Sequence, residues 1–439
     1  MGSVVMLARK AMDDLVQWRS EHSGQALMVT GARQVGKTTL VRNFAKGHFE
    51  HLAEVNFFER PDAKAMLSES TSTEDLMLRL SVLTQQEIVA GKTLLFLDEV
   101  QECQDMLTWV KFLSERTDLD VILSGSLLGL DSFVHVRSLP VGFLRKLTVY
   151  PFSFEEFCSA TGVPPSEWSA MAEAVGSRGE VPDFIHRDLM SRFRKYLLVG
   201  GMPSAVQAFV DSHQIVPVRN QQRAIVDLYE DDIAKYVGSQ VESRQIKMVY
   251  EAIPGQLNAQ TKRFKYTRLG KNLRFANMET AFDWLEASGV AIESTRVGET
   301  VFPLGLSEDR QAFKLFMNDV GLLTSRLMGD VEFDVIAGTP INYGSIFENY
   351  VAQELKMRGY EPHYYYSKKN GEVDFVVENR GTGKITVIEV KSGKDYKRHS
   401  ALNNLLTSGD AKDAVVLHDG NVTVGGNRLY LPIYAAGLL

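Results

Sequence analysis

The sequence is poor in cysteine and has no long apolar run. Its two cysteines, Cys103 and Cys158, lie far apart without cysteine or histidine nearby at metal-ligand spacing, so neither a disulfide framework nor a zinc ribbon is indicated. No run of about 18 apolar residues could span a membrane. The N-terminal segment MGSVVMLARKAMDD lacks the apolar stretch of a signal peptide. We therefore expect a cytoplasmic protein without a membrane partner.

A surplus of positive charge is also missing. The formal net charge is −7, and the excess of acidic residues lies before residue 241. A surface coated with basic residues for nucleic acid is therefore not expected, and any polyanion-binding surface should lie in the second half of the chain. Hydrophobic residues at 44% and charged residues at 23% are typical of a globular protein. A length of 439 residues predicts about three domains.

The arrangement of apolar segments predicts an α/β fold. In residues 1–160, short apolar segments alternate with amphipathic helical ones, which indicates a parallel sheet covered by helices. The predicted strands are residues 26–30, 52–58, 93–98, 120–124 and 147–150. Residues 161–240 have helical patterns and predict a lid. Residues 241–305 suggest a helix, a basic helix, a helix and two strands, which is the order of a winged helix, and residues 306–439 predict a C-terminal α/β domain.

The segment GARQVGKTT follows the first predicted strand and opens a predicted helix. Its glycines and the Lys-Thr pair have the spacing G-x-x-x-x-G-K-[ST], in which backbone N–H groups wrap nucleotide phosphates. Lys37 is expected to reach the β and γ oxygens, and Thr38 to bind Mg²⁺. The predicted cofactors are therefore ATP and Mg²⁺. The residues predicted to bind them are Gly31, Arg33, Gln34, Val35, Gly36, Lys37, Thr38 and Thr39.

A second motif, TLLFLDEV, is a buried strand that ends in two acids. Asp98 is expected to hold the Mg²⁺ shell together with Thr38. Glu99 is expected to orient and polarise the attacking water. The two motifs together predict ATP hydrolysis.

With these motifs, the N-terminal half resembles AAA-type ATPases, in particular a prokaryotic group described only as ATP-binding proteins. The resemblance implies a polar sensor at the end of the next strand, in VILSGSLLGL, for which Ser126 is the candidate and Ser124 the alternative. Either serine could instead cap a helix. The group's GG-x-P motif occurs at residues 200–203 in the predicted lid, which implies that Pro203 lies near the nucleotide base. On its own, that motif is only a helix stop.

The resemblance also implies an arginine finger. Members commonly carry Gly-Arg before the fifth strand, but in this chain Phe143 follows Gly142. Arg137 and Arg145 remain as candidates, and each is equally well explained as a solvated surface arginine. Arg145 is the one we assign to catalysis. If it completes the site of a neighbouring copy, the chain assembles into a ring.

Residues 261–275, TKRFKYTRLGKNLRF, contain six basic residues, no acid, and three aromatic residues, Phe264, Tyr266 and Phe275. Lysine and arginine here could neutralise DNA phosphates while a winged helix fixes the register on the duplex. Two alternatives stay open. Many winged helices contact only proteins, and aromatic residues at this spacing are often part of a core.

The segment GEVDFVVENRGTGKITVIEVKSGK predicts a hairpin with strands at 373–377 and 385–391. Asp374 lies on the first strand, and Glu389 and Lys391 share one face of the second because side chains repeat every two residues. The two acids could hold Mg²⁺ against a phosphodiester while Lys391 stabilises charge, and Glu348 on the preceding helix could complete the metal shell. The structural alternative is a lysine that protects a sheet edge.

The chain from KLFMNDVGLLTSRL onward resembles the domain of unknown function DUF4143 that accompanies these ATPases. Its core is similar to the restriction-endonuclease fold with an Asp…Glu-x-Lys signature. The resemblance implies Asp374 and Glu389 as metal-binding acids, Lys391 as the catalytic lysine and Glu348 as the helix acid. Val373 stands where such nucleases often have proline.

Our hypothesis from the sequence is an AAA-type ATPase whose nucleotide state regulates a winged helix and a nuclease-like domain that act on DNA. The expected DNA contacts are residues 261–275 and the C-terminal domain. The alternative is a non-nucleolytic switch in signalling or defence, which recruits a protein partner or a second copy of the chain.

Overall fold

A computed structural model describes residues 7–21, 24–103, 105–115, 119–125, 142–236, 239–259, 261–270, 273–331, 342–393 and 399–439. The chain divides into two compact units. The first contains residues 1–150 and 287–289, and the second contains residues 151–286 and 290–439. Tyr150 is the last residue in the first stretch of the first unit, and the expected domain boundary at residue 160 stays a prediction. Ser126 and Arg137 lie outside the described residues.

The first unit is built around a parallel sheet of five strands in the order β2-β3-β4-β1-β5. The strands are β1 Ala26–Thr30, β2 His51–Asn56, β3 Thr93–Asp98, β4 Asp120–Ser124 and β5 Leu144–Thr148. All six residues of β3 are buried, as expected for a strand inside a parallel sheet. The α/β fold with a parallel sheet, predicted from the sequence, is confirmed.

The helices of the first unit are α1 Ala11–Glu21, α2 Lys37–His48, α3 Pro61–Ser68, α4 Thr73–Thr84 and α5 Asp105–Ser114. The hydrophobic core joins apolar side chains of the strands to those of α3, α4 and α5, such as Leu97, Leu80 and Leu107. Because the strands are parallel, their carboxyl ends meet at one edge of the sheet. That edge is where ligands bind in open α/β sheets.

The second unit begins with a helical region. Its helices are α6 Phe154–Ala160, α7 Pro165–Gly176, α8 Asp183–Val199, α9 Pro203–Ser212, α10 Ile215–Tyr236, α11 Gln240–Leu257, α12 Glu279–Ala287, α13 Val320–Met328, α14 Gly344–Met357 and α15 Ser400–Ser408. The start of α6 shows how the sequence sets these bounds. The Ser153 side chain accepts from the Glu156 N–H while the Glu156 carboxylate accepts from the Ser153 N–H. This reciprocal pair satisfies two N–H groups that the helix leaves open.

A mixed sheet of eight strands follows, in the order β12-β13-β11-β10-β9-β8-β6-β7. Its strands are β6 Ala291–Val297, β7 Glu308–Met317, β8 His363–Ser367, β9 Gly371–Asn379, β10 Lys384–Val390, β11 Ala414–His418, β12 Thr423–Gly425 and β13 Arg428–Pro432. β6 pairs with β7 on one side and with β8 on the other. β6, which lies in the segment expected as a winged helix, therefore belongs to the same sheet as the C-terminal strands. The expected boundary at residue 305 stays a prediction.

The basic helix expected in residues 261–275 is not formed in the described part of that segment. Two 3₁₀ turns occur instead, one at Tyr266–Arg268 and one that begins at the end of the segment, Phe275–Asn277. The backbone N–H of Phe264 donates to the Phe313 carbonyl at 2.8 Å, so the chain here runs beside β7. A strand-like contact of this kind excludes helical geometry at Phe264.

The three aromatic residues of this segment form a core cluster with Phe282 of α12 and Phe313 of β7. The ring centroids of Phe264 and Phe282 are 5.2 Å apart, those of Tyr266 and Phe313 6.2 Å, and those of Phe275 and Phe282 6.1 Å. Aromatic pairs at these distances stabilise a core. The structure thus agrees with the alternative that these residues are core and not a base-stacking platform.

A cavity of about 680 Å³ opens beside α12, β6 and β7. The acids that line it are Glu279, Asp283, Glu286, Glu293, Glu308, Glu361 and Glu378. Burial, together with the negative charges of Glu286 and Asp283, raises the pKa of Glu293 to about 8. α12 therefore carries an acidic surface.

Among the helices in the described ranges, none is both long enough and apolar enough to cross a membrane.

Candidate active sites

The loop between β1 and α2 has a backbone that favours glycine. Gly31 has a φ of +145° and Gly36 a φ of +91°. A Cβ atom at Gly31 would lie 2.2 Å from the carbonyl oxygen of Val149, so a larger residue does not fit. The loop leads directly into the N-terminus of α2, where free N–H groups favour an anion. Sequence spacing and backbone geometry thus agree on a phosphate-binding loop.

Lys37, the first residue of α2, is buried against this loop. Its Nζ donates to the carbonyl oxygens of Gly31 at 3.1 Å and Ala32 at 3.0 Å. These contacts hold the ammonium group over the glycine turn.

Asp98, at the carboxyl end of β3, is the centre of a polar group formed by four neighbouring elements. Its Oδ2 accepts from Thr38 Oγ1 at 2.9 Å and from Asn56 Nδ2 at 3.0 Å, and its Oδ1 accepts from the Ser124 hydroxyl. Asp98 is 1% exposed. Donors from α2, β2 and β4 therefore hold a buried carboxylate in one orientation beside the loop.

Glu99 has an unusual backbone for a residue with a side chain. Its φ of 54° and ψ of 46° are left-handed, and its carboxylate accepts from the side-chain amide of Gln101. Such a conformation costs on the order of 1–3 kcal/mol and is commonly found at functional sites.

In the second unit, the expected hairpin is formed by β9 and β10. The N–H of Val390 donates to Asp374 Oδ2 at 2.9 Å, and Lys391 Nζ lies 2.6 Å from Glu389 Oε1. The structure thus brings Asp374, Glu389 and Lys391 together, as the alternation along the strands predicts.

Lys314 on β7 joins these residues, although the sequence analysis did not single it out. Its Nζ lies 3.1 Å from Glu372 Oε1, 3.5 Å from Glu348 Oε2 and 3.8 Å from Asp374 Oδ1. Its side chain is 0% exposed. Lys262 also pairs with Glu348.

We call this group the charged cluster. Its members are Lys262, Arg263, Lys314, Glu348, Glu372, Asp374, Glu389 and Lys391. Burial, followed by the charge of Asp374, raises the pKa of Glu389 to about 8. Burial would also raise the pKa of Asp374, but Lys314 and Lys262 outweigh it and hold that pKa below its ordinary value. Burial opposes the charge of Lys314, yet the surrounding carboxylates raise its pKa, so Lys314 is a cation.

Family models match three segments of the chain, and the first of them contains the phosphate-binding loop and Asp98. Residues 23–158 match the model described as an AAA domain. The chain contains an AAA-type P-loop ATPase domain. Residues 190–331 match a domain of unknown function, DUF8612, and residues 343–435 match another, DUF4143. The resemblance to AAA-type ATPases and to DUF4143 is therefore confirmed.

Solved structures with low similarity include a Walker-type ATPase of Pyrococcus abyssi, at 12% identity and a TM-score of 0.43 over 74% of this chain and 96% of that one. The ORC1 protein of Aeropyrum pernix in complex with DNA is 12% identical, with a TM-score of 0.28 over 75% of this chain and 94% of that one. Cdc6p of Pyrobaculum aerophilum is 9% identical, with a TM-score of 0.26 over 79% of this chain and 96% of that one. No curated protein matches the chain at a significant level.

In the AAA domain, the structure adds Asn56 to the predicted site and shows a contact of the alternative sensor, Ser124. Asn56 was not predicted. It lies directly opposite Asp98 in the register of β2 and β3, so the usable signal was a polar residue at the end of the neighbouring strand. Ser124, the alternative sensor, contacts Asp98. Ser126, the preferred candidate, lies outside the described residues.

The AAA domain places Arg145 away from its own phosphate-binding loop. Arg145 is opposite Leu27 in the register, whereas Thr148 is opposite Thr30, the last residue before the loop. Three residues of strand span about 10 Å. The guanidinium instead pairs with Glu21 of α1. Arg145 is therefore not a finger for its own site, because it lies toward the amino end of the strands, and a contribution to a second copy stays a prediction.

The GG-x-P motif lies in the second unit, and Pro203 is the first residue of α9. The N–H of Gly201 donates to the buried Asp319 carboxylate at 2.6 Å. A Cβ at Gly200 would lie 2.1 Å from Asp319 Oδ1. The glycines thus allow close packing against Asp319. The expected position of Pro203 near the nucleotide base stays a prediction.

The two expected metal sites differ in their fit. Thr38 and Asp98 offer hydroxyl and carboxylate oxygens, the ligands that Mg²⁺ prefers, so they fit a Mg²⁺ ion bound with ATP. In the described ranges, no group of three or more His, Cys, Asp or Glu residues has an arrangement that could hold a metal ion. In the structure, lysines contact the carboxylates of Glu348, Asp374 and Glu389. The expected metal set of these three residues stays a prediction.

Proposed function

We propose that this chain is an ATP-hydrolysing molecular switch. The observation that carries the proposal is the position of Asp98, which Thr38, Asn56 and Ser124 hold beside the phosphate-binding loop. A nucleotide-binding loop alone would need no such set of donors. A nucleotide-driven switch couples phosphate contacts at a site of this kind to a rearrangement elsewhere in the chain.

Each residue has a proposed part in hydrolysis. The N–H groups that follow Gly31 bind the phosphates, and Lys37 stabilises the charge that develops on the β and γ oxygens. Thr38 and Asp98 would hold Mg²⁺, which supplies charge neutralisation at the phosphates. Glu99 orients the attacking water and accepts its proton. Ser124 and Asn56 act through Asp98 and keep its carboxylate in place.

Glu99→Gln tests this assignment. The variant keeps the hydrogen-bonding shape of the side chain but not the base, so we expect it to bind ATP and to lose turnover. Phosphate release and the nucleotide retained after gel filtration measure the two properties. Glu102→Gln, on the same short turn, is the matched control and should hydrolyse ATP normally. Normal turnover by Glu99→Gln would refute the role of Glu99.

A second candidate is that nucleotide state regulates a metal-dependent nuclease acting on DNA. The contacts that bring Asp374, Glu389 and Lys391 together favour it. Linear, circular, single-stranded and branched DNA should then be cut with Mg²⁺ or Mn²⁺, in a manner that depends on ATP and is lost in Lys391→Ala. Lys384→Ala, an exposed change at the start of β10, is the control. If no substrate is cut while ATP is hydrolysed, the switch without nuclease activity is the better account.

The partner of the switch is proposed from the same segment that suggested DNA. Lys262 and Arg263 are paired within the charged cluster. Among the other basic residues that the structure describes in this segment, Lys265, Arg268 and Arg274 are exposed. The neighbouring α12 is acidic and would repel a phosphate backbone. We therefore favour a protein partner or a second copy over DNA. Salt-dependent binding of duplex DNA that is lost in Arg268→Ala would favour DNA instead.

A further inference from the structure

The charged cluster of the second unit contains a lysine where a nuclease would need a metal ion among its acids. We propose that the ammonium group of Lys314 takes the place of a divalent cation among the carboxylates of this cluster, so that the cluster binds no metal ion. The inference concerns a site that is separate from the ATPase site of the AAA domain, and it does not depend on ATP hydrolysis.

The position of Lys314 carries the argument. Its Nζ lies between 3.1 and 3.8 Å from carboxylate oxygens of Glu348, Glu372 and Asp374. These acids come from α14 and from two positions on β9, while the lysine comes from β7. One cation therefore bridges three carboxylates of two elements, which is what a bound metal ion does in a protein. Here the bridging cation is a side chain of the protein itself.

When all of its carboxylates are ionised, the charges of the cluster balance without any added ion, and protonation of Glu389, whose pKa is raised to about 8, leaves a surplus of positive charge. Its four carboxylates are Glu348, Glu372, Asp374 and Glu389, and its four cations are Lys262, Arg263, Lys314 and Lys391. Each carboxylate has at least one of these cations within ion-pair distance. A divalent ion added to this set would place two further positive charges beside the lysines and would be repelled by them. The lysines could not move away, because the cluster offers them no other carboxylate.

Burial explains why the ammonium group of Lys314 stays beside these carboxylates. Lys314 is 0% exposed, and a buried ammonium group without a counter-charge is strongly unfavourable. Its ring contact adds to this, because Nζ lies 5.2 Å from the centroid of Tyr364. The carboxylates and the lysine are therefore mutually dependent. Removing the lysine's charge leaves the buried carboxylate of Glu348, and the partly buried carboxylates of Glu372 and Asp374, in need of another cation.

That dependence predicts a gain of metal binding. We would use protein with Asp98→Asn, which removes the expected metal ligand of the AAA domain, and titrate it with Mn²⁺ alone while electron paramagnetic resonance reports free Mn²⁺. The reference protein should bind no stoichiometric Mn²⁺. Adding Lys314→Met should raise the Mn²⁺ affinity by about tenfold or more, since a competing charge is removed from among the carboxylates. Adding Asp374→Asn to that variant should abolish the gain.

Lys314→Arg, which keeps the charge, is the matched control and should bind no Mn²⁺. Lys314→Gln provides a polar variant of similar length if methionine prevents folding, and circular dichroism establishes that each protein is folded. The proposal is overturned if the reference protein binds one Mn²⁺ per chain and Asp374→Asn removes it. It is also overturned if a folded Lys314→Met or Lys314→Gln protein gains no Mn²⁺. Either result leaves the proposed ATPase function untouched, because Glu99→Gln tests that separately.

Discussion

Glu293, in the wall of the acidic cavity, should make the stability of the second unit depend on pH. Its pKa rises from an ordinary value of 4.5 to about 8 in the folded chain, first because it is buried and then because Glu286 and Asp283 are negative. Glu308 adds to this effect, and Arg310 opposes it. Between pH 4.5 and 8, the folded chain keeps a proton that the unfolded chain has lost. The free energy of unfolding therefore falls as the pH rises through this window.

The size of this change in the free energy of unfolding follows from the two pKa values of Glu293. At about 1.4 kcal/mol per pH unit, the full interval corresponds to roughly 5 kcal/mol, and the part between pH 5.5 and 8.5 to about 3 kcal/mol. Glu293→Gln cannot ionise and escapes this loss. The quantity to compare is the free energy of unfolding of the variant minus that of the native chain. We expect this difference to be about 3 kcal/mol larger at pH 8.5 than at pH 5.5.

Hydrogen exchange of the β6 amides, followed by mass spectrometry, gives the opening free energy of this region for both proteins. Comparison at the same pH removes the intrinsic pH dependence of exchange. Glu279→Gln, an exposed change on the same cavity wall, is the matched control. The reasoning is refuted if the native and Glu293→Gln proteins differ in opening free energy by the same amount at pH 5.5 and at pH 8.5.

Two further predictions concern the AAA domain. Ser124→Ala removes a hydrogen bond to the Asp98 carboxylate, so ATP turnover should fall by about tenfold while Ser124→Thr retains it; unchanged phosphate release by the alanine variant would show that Ser124 has no such role. Arg145→Ala should leave turnover unchanged in dilute protein, because Arg145 lies at the amino end of the strands. A loss of turnover that deepens with protein concentration would instead show that Arg145 serves a second copy.

The parts of the site that could be predicted from the sequence are those formed by neighbouring residues of one segment. The phosphate-binding loop occupies consecutive residues between β1 and α2, and Asp98 ends a strand whose apolar run is visible in the sequence. Asn56 and Lys314 could not be found in this way, because pairing between strands, and not sequence distance, brings them to their sites. One feature of the sequence does indicate Lys314. A lysine inside the apolar run AFKLFM has to find counter-charges if the strand is buried.

The predicted basic helix failed for a related physical reason. The order of elements and the density of lysine and arginine suggested a helix, but neither property reports where aromatic side chains are buried. Phe264 and Tyr266 pack against Phe282 and Phe313, and this packing determines the backbone path. Tertiary contacts thus outweighed the local preference of the segment.

The second sheet has a consequence for how the chain can be divided. Two family segments, residues 190–331 and 343–435, both contribute strands to it, and β6 from the first pairs in parallel with β8 from the second. A cut between these segments would expose the pairing edges of β6 and β8, and unpaired edges promote aggregation. Exchange of the last segment between related proteins would need an incoming strand whose register matches β6. The two segments are therefore expected to be inherited, and to be produced in the laboratory, as one piece.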